Sequence, residues 1–124
     1  MTQRQKQSQI QSFRVAFEGI GLLIREQLHF RIHLIFAAFA LIACGFFQVT
    51  RNEWIAVLIL IALVLATEAA NTCLEYLCDL VSPGYHPLVK KIKDMAAGMV
   101  LLSAIIAVVA GCLIFIPYII QLWV

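Results

Sequence analysis

Glu68, Asn71, Glu75 and Asp79 follow one another at spacings of three, four and four. On a helix that spacing puts all four on one stripe, within about 80° of arc. Three carboxylates on one face repel each other, and near a bilayer such groups are costly unless they pair, bind metal or do work. A purely solvating helix end would mix in lysine, and this stripe has none. Lys93 and Asp94 come next across a short loop, with Lys90 one turn before Lys93. An acidic stripe offers hard oxygens to Mg²⁺, and a facing lysine neutralises phosphate oxygens, which together make the minimum apparatus for phosphoryl transfer. No glycine-rich Walker loop is present, so a kinase built on these residues is neither a P-loop enzyme nor a protein-kinase fold.

The elements that must hold these residues are set by lipid. The chain has 124 residues, of which 63% are hydrophobic and 13% charged, more apolar surface than a soluble domain of this length can bury. Three spans are expected, over residues 30–49, 53–81 and 88–117. The second outruns the hydrocarbon, which needs about 20 helical residues, so its last turns carry the acidic stripe out to the interface. Arg4, Lys6, Arg14, Arg25 and Arg31 precede the first span, Lys90, Lys91 and Lys93 lie between the second and third, and Arg51 alone lies on the other side. The positive-inside rule then places the amino terminus and the acidic stripe in the cytoplasm and the carboxyl terminus outside. The net charge of +2 is a topology signal and gives no reason to expect nucleic acid as a partner.

Residues 1–11, rich in glutamine, are expected to be a disordered leader, and nothing in them resembles a targeting segment. Over residues 12–29, Phe13, Phe17, Ile20, Ile24 and Leu28 form a stripe apart from Arg14, Glu18 and Arg25, the pattern of an amphipathic helix lying on the membrane surface. Thr50 to Glu53 make a tight external hairpin leading into Trp54. Ala97, Ala104 and Gly111 recur every seven residues along the third span, a seam that admits a second helix closely. One chain's three helices cannot screen the polar stripe from lipid on all sides, so a homotrimer is expected. Cys44, Cys73, Cys78 and Cys112 show no metal-ligand spacing. His29 and His33 read as polar anchors at the start of the first span, and His86 as a phosphate contact or a loop-stabilising group.

Glu68-Ala69-Ala70-Asn71-Thr72-Cys73-Leu74-Glu75, then Asp79, Tyr85-His86-Pro87-Leu88 and Lys93-Asp94-Met95-Ala96-Ala97-Gly98 resemble the signature of the bacterial diacylglycerol kinase and undecaprenol kinase family. Phe30-Arg31-Ile32-His33 resembles the segment that opens the first span in many members, so the likeness covers Ser12 to Pro117. The resemblance implies an all-α membrane protein of the bacterial inner membrane, a homotrimer with sites shared between subunits. It makes Glu68 the base for a lipid hydroxyl, Glu75 a Mg²⁺ ligand, and Asn71, Tyr85, His86, Lys93 and Asp94 contacts of ATP. The family's second metal carboxylate falls here on Gln27, which leaves neighbouring Glu26 as the substitute, and Gly84 stands where some members carry an acid.

The expected activity is therefore transfer of the γ-phosphoryl group of ATP to a lipid alcohol. Undecaprenol is favoured over diacylglycerol because the Tyr-His-Pro-Leu and Phe-Arg-Ile-His segments look more like that branch. The competing reading is a small membrane adaptor whose acidic stripe docks a basic partner or conducts an ion. Lys93 and Asp94 opposite the stripe favour the kinase, since docking needs neither.

Overall fold

The computed structural model describes residues 3–124. These form four helices, α1 Gln3–Glu26, α2 Leu28–Phe47, α3 Arg51–Val81 and α4 Pro87–Gln121, with no strand among the described residues. Helices α2, α3 and α4 are each long and apolar enough to cross a membrane. The protein is an all-α membrane protein, with α3 and α4 packed together most extensively and α2 lying against both.

Its surface is inverted relative to a protein in water. Phe36, Phe39 and Ile42 on α2 are about two-thirds exposed, whereas Glu68, Asn71, Thr72 and Ser103 are buried. Lipid accepts the first group without cost and excludes the second. A small apolar core of Cys44, Val49 and Val57, flanked by Phe47, Trp54, Phe115 and Tyr118, closes the hairpin between α2 and α3. The hairpin itself is fixed by backbone chemistry. Gln48 takes the left-handed conformation at φ 50°, and Thr50 caps α3 in a reciprocal box with Glu53. Tyr118 then donates a 2.7 Å hydrogen bond to Glu53 Oε2 and ties α4 to the same end.

The surface helix ends at Glu26 and the first span starts at Leu28, two or three residues before the expected 29 and 30, and two further boundaries differ by more. The leader was expected to be disordered over residues 1–11. Residues 1–2 lie outside the described residues, and from Gln3 the chain is helical and continuous with the amphipathic stretch. Glutamine, lysine and arginine are good helix formers, and no glycine or proline intervenes before Gly19. On this helix Phe13 and Phe17 stay 70% and 71% exposed, an apolar stripe with no partner among the described residues, as a helix lying on lipid requires. At the other end Pro117 sits inside α4, which continues to Gln121. Proline deletes one backbone hydrogen bond, but among lipid chains helical backbone remains the only way to satisfy the others.

Candidate active site

The acidic stripe of α3 lies opposite that hairpin and is built in three levels along the helix axis. The deepest holds Glu68, which is 4% exposed. Its Oε2 lies 3.9 Å from Nε2 of His33, one and a half turns into α2. Below it α3 and α4 are joined by the Thr67 and Ser103 hydroxyls, 2.9 Å apart. One of the two hydroxyls donates to the other, and the one that accepts donates in turn to a carbonyl of its own helix, Val64 for Thr67 or Val100 for Ser103. Such bonds satisfy polar groups that lipid cannot, and so fix the rotation of α3 that turns Glu68 inward.

At the middle level Asn71 Nδ2 donates to Glu75 Oε1 at 3.3 Å, while Asn71 Oδ1 is buried without a hydrogen-bond partner. Tyr76, beside Glu75, reaches across to the junction of α1 and α2. Its hydroxyl donates to Glu26 Oε2 and accepts from Gln27 Nε2, both at 2.8 Å. Gln27 is extended there and breaks the helix in two. Arg31 stabilises the break by donating to the carbonyls of Ile24 and Arg25, the last turn of α1. Glu26 and Gln27 are thereby held beside the stripe by one phenol.

At the outer level Lys93 of α4 donates to Asp79 Oδ1 and joins the two helices across the loop. Lys90 pairs with Asp94 one turn along α4. His86 is the amino-terminal cap of α4, its Nδ1 accepting from the Leu88 N–H at 3.2 Å, and Pro87 follows at the first helical position, where a missing N–H costs nothing. Tyr85 stands 82% exposed on the loop.

Of the residues singled out from sequence, the structure brings Glu68, Asn71 and Glu75 onto one face. It adds Glu26 and Gln27 through Tyr76, and pairs Lys93 with Asp79. Asp94 and Tyr85 are turned to other company, Lys90 and solvent. Tyr76 and His33 make contacts with the acidic stripe and its neighbours that sequence reasoning did not assign, because a lone aromatic or imidazole has no spacing signature. Among the described residues no three His, Cys, Asp or Glu side chains gather closely enough to make a metal cage. Mg²⁺ does not require one: it takes one or two carboxylates and completes its shell with water and substrate phosphates. Glu75, Glu26 and the orphaned Asn71 Oδ1 are hard oxygen donors of the kind that fits this use.

Comparison with known proteins reaches the same region of the chain. The family model described as prokaryotic diacylglycerol kinase matches residues 14–115. An undecaprenol kinase from Bacillus subtilis is 38% identical over 107 residues, covering 86% of each chain. A diacylglycerol kinase from Synechocystis is 41% identical over 117 residues, covering 91% of this chain and 65% of that protein. The diacylglycerol kinase of Escherichia coli is 33% identical over 54 residues, 44% of each chain.

Proposed function

The chain belongs to the prokaryotic diacylglycerol kinase family and is a membrane lipid kinase, and from that premise we propose that it transfers the γ-phosphoryl group of ATP to the terminal hydroxyl of undecaprenol in preference to diacylglycerol. The observation that carries the reading is a buried carboxylate, Glu68, about two helical turns along the same stripe from the more exposed Glu75. Such an arrangement suits a reaction whose acceptor is anchored in lipid and whose donor arrives from water.

Glu68 takes the proton of the acceptor hydroxyl, whose oxygen then attacks the γ-phosphorus. Asn71 orients Glu75 through its 3.3 Å bond. Glu75 and Glu26 are the residues that would hold Mg²⁺, with Gln27 alongside, and the ion supplies charge neutralisation on the nucleotide phosphates. Lys93 exchanges Asp79 for a phosphate oxygen when the nucleotide enters, and Tyr85, His86 and Asp94 border the nucleotide. We place this site on the cytoplasmic side, by the distribution of lysine and arginine, and assign a homotrimer with sites shared between subunits. Support for undecaprenol comes from the Phe30-Arg31-Ile32-His33 and Tyr85-His86-Pro87-Leu88 segments.

The test is incubation of the purified protein in lipid vesicles with γ-labelled ATP and a panel of lipid alcohols. Faster labelling of undecaprenol than of diacylglycerol is expected. The reverse order would overturn the acceptor assignment, and no labelled lipid from any alcohol would overturn the kinase reading for this chain.

A further inference from the structure

The imidazole of His33 borders two environments. On one side is Glu68, with the two side chains 21% and 6% exposed. On the other it lines a cavity of about 320 Å³ between α2, α3 and α4, whose remaining walls are apolar, Phe36, Ala40, Val64, Ala104 and Val108 among them. His33 is the one polar side chain of that lining. By register it stands at the end nearest the acidic stripe, since Ala104 follows Ser103, the partner of Thr67. Among the described residues nothing fills the space beside Gly111. That residue lines the cavity, and a Cβ added there would meet no atom within 4 Å.

The 3.9 Å between His33 Nε2 and Glu68 Oε2 is too long for a direct hydrogen bond. A single oxygen about 2.8 Å from both atoms would bridge them at an angle of about 90°, a geometry open to a hydroxyl that accepts from one and donates to the other. We propose that His33 is a positioning residue for the acceptor: its Nε2–H holds the lipid hydroxyl against Glu68, and the first stretch of the hydrocarbon chain lies in the groove below. The volume is that of roughly ten water molecules, enough for a length of one chain and too little for a whole lipid. The proposal rests on the lipid kinase reading. In the reaction the hydroxyl proton passes to the Glu68 carboxylate and the hydroxyl oxygen bonds to the γ-phosphorus. The bond from that phosphorus to the β,γ-bridging oxygen breaks, its electron pair leaving with ADP. His33 keeps its proton and fixes which lone pair of the oxygen faces the phosphorus.

The experiment compares the full-length wild type with His33→Ala, His33→Gln and Gly111→Phe in vesicles, measuring kcat and KM for undecaprenol, for a short prenol and for Mg·ATP, with native mass alongside. His33→Ala should lower kcat/KM for the lipid by about tenfold or more, the scale of a misplaced reactant, while KM for Mg·ATP is unchanged. His33→Gln, which keeps an N–H donor, should recover most of that loss. Gly111→Phe should raise KM for undecaprenol and leave the short prenol alone. Wild-type rates in His33→Ala, or equal losses in the Ala and Gln variants, would overturn the positioning role. A Gly111→Phe protein with altered native mass and unchanged KM would show that a second copy of the chain covers the groove, and would overturn the assignment of its occupant. A wild type that labels no lipid would overturn the kinase reading itself, a result distinct from all of these.

Discussion

Replacing Glu68 and Glu75 in turn by glutamine separates proton transfer from metal binding. Both substitutions preserve shape and remove one negative charge. The two residues are seven positions apart on α3, about 10 Å along the axis, so they cannot serve the same atom. Glu68, at 4% exposed, has little water to take over its proposed role as a base. Loss of a general base costs a factor of about 10² to 10⁴, or about 3 to 5 kcal/mol on the barrier. Glu68→Gln should therefore lose turnover on that scale while still binding Mg·ATP. In Glu75→Gln the amide oxygen can still accept from Asn71 Nδ2, so the helix face keeps its packing while a charged ligand is lost. That variant should bind Mg·ATP more weakly and need more Mg²⁺. The assays are steady-state labelling of lipid with γ-labelled ATP and equilibrium binding of Mg·ATP to the protein in vesicles. Identical behaviour of the two variants in both assays would refute the division of labour.

Glu26→Gln should raise the Mg²⁺ concentration for half-maximal activity, and Tyr76→Phe, which releases Glu26 and Gln27 together, should shift it in the same direction; a metal titration of each checks this. Lys93→Met should raise KM for ATP by about tenfold or more, the worth of one hydrogen bond from a charged group, whereas Asp79→Asn should leave turnover intact if Asp79 only stores the lysine. Ser103→Ala should destabilise the α3–α4 pairing by about 0.6 kcal/mol, the mean for hydrogen bonds between membrane helices, as read by unfolding in mixed micelles. Chemical cross-linking in mild detergent should trap three chains, and a monomeric preparation with full activity would argue against a shared site.

The spans and the stripe were legible because each rests on a one-dimensional signal: apolar length for the first, i+3 and i+4 spacing for the second. The side chains on which function is now hung were less legible, for a physical reason. His33 and Glu68 meet through the packing of two helices 35 positions apart in sequence, and helix rotation is set by contacts such as Thr67 with Ser103, which leave no periodic trace. Tyr76 lies beside Glu75, so spacing puts it off the acidic stripe, yet that offset aims its hydroxyl at the α1–α2 break. The break itself falls at Gln27, a good helix former, where Arg31 bonds back to the last turn of α1 and Tyr76 reaches in from α3. His86 carried two readings from sequence, and its place directly before Pro87 is what makes it a helix cap.

The length of α3 connects these observations. A helix that only had to cross the bilayer would need about 20 residues, and α3 has 31. On the proposed placement its extra turns take Glu75 and Asp79 beyond the hydrocarbon and leave Glu68 within it, on the same rigid rod. A helix resists bending far better than a loop, so the distance from a buried base to the water-level groups is fixed by covalent geometry at 1.5 Å per residue. Phosphorylating a membrane lipid demands that fixed distance, because neither the acceptor hydroxyl nor the charged donor can travel far into the other's medium. In the proposed reaction Lys93 is the movable part. It sits on a different helix, and its ion pair with Asp79 is partly exposed, the kind of contact that a nucleotide's phosphates can displace at little cost. If the rod sets the distance, inserting one alanine between Asn71 and Glu75 should rotate Glu75 by about 100° off the face of Glu68 and abolish Mg·ATP binding. An insertion mutant that still bound and turned over would mean that the spacing along α3 is not what aligns donor and acceptor.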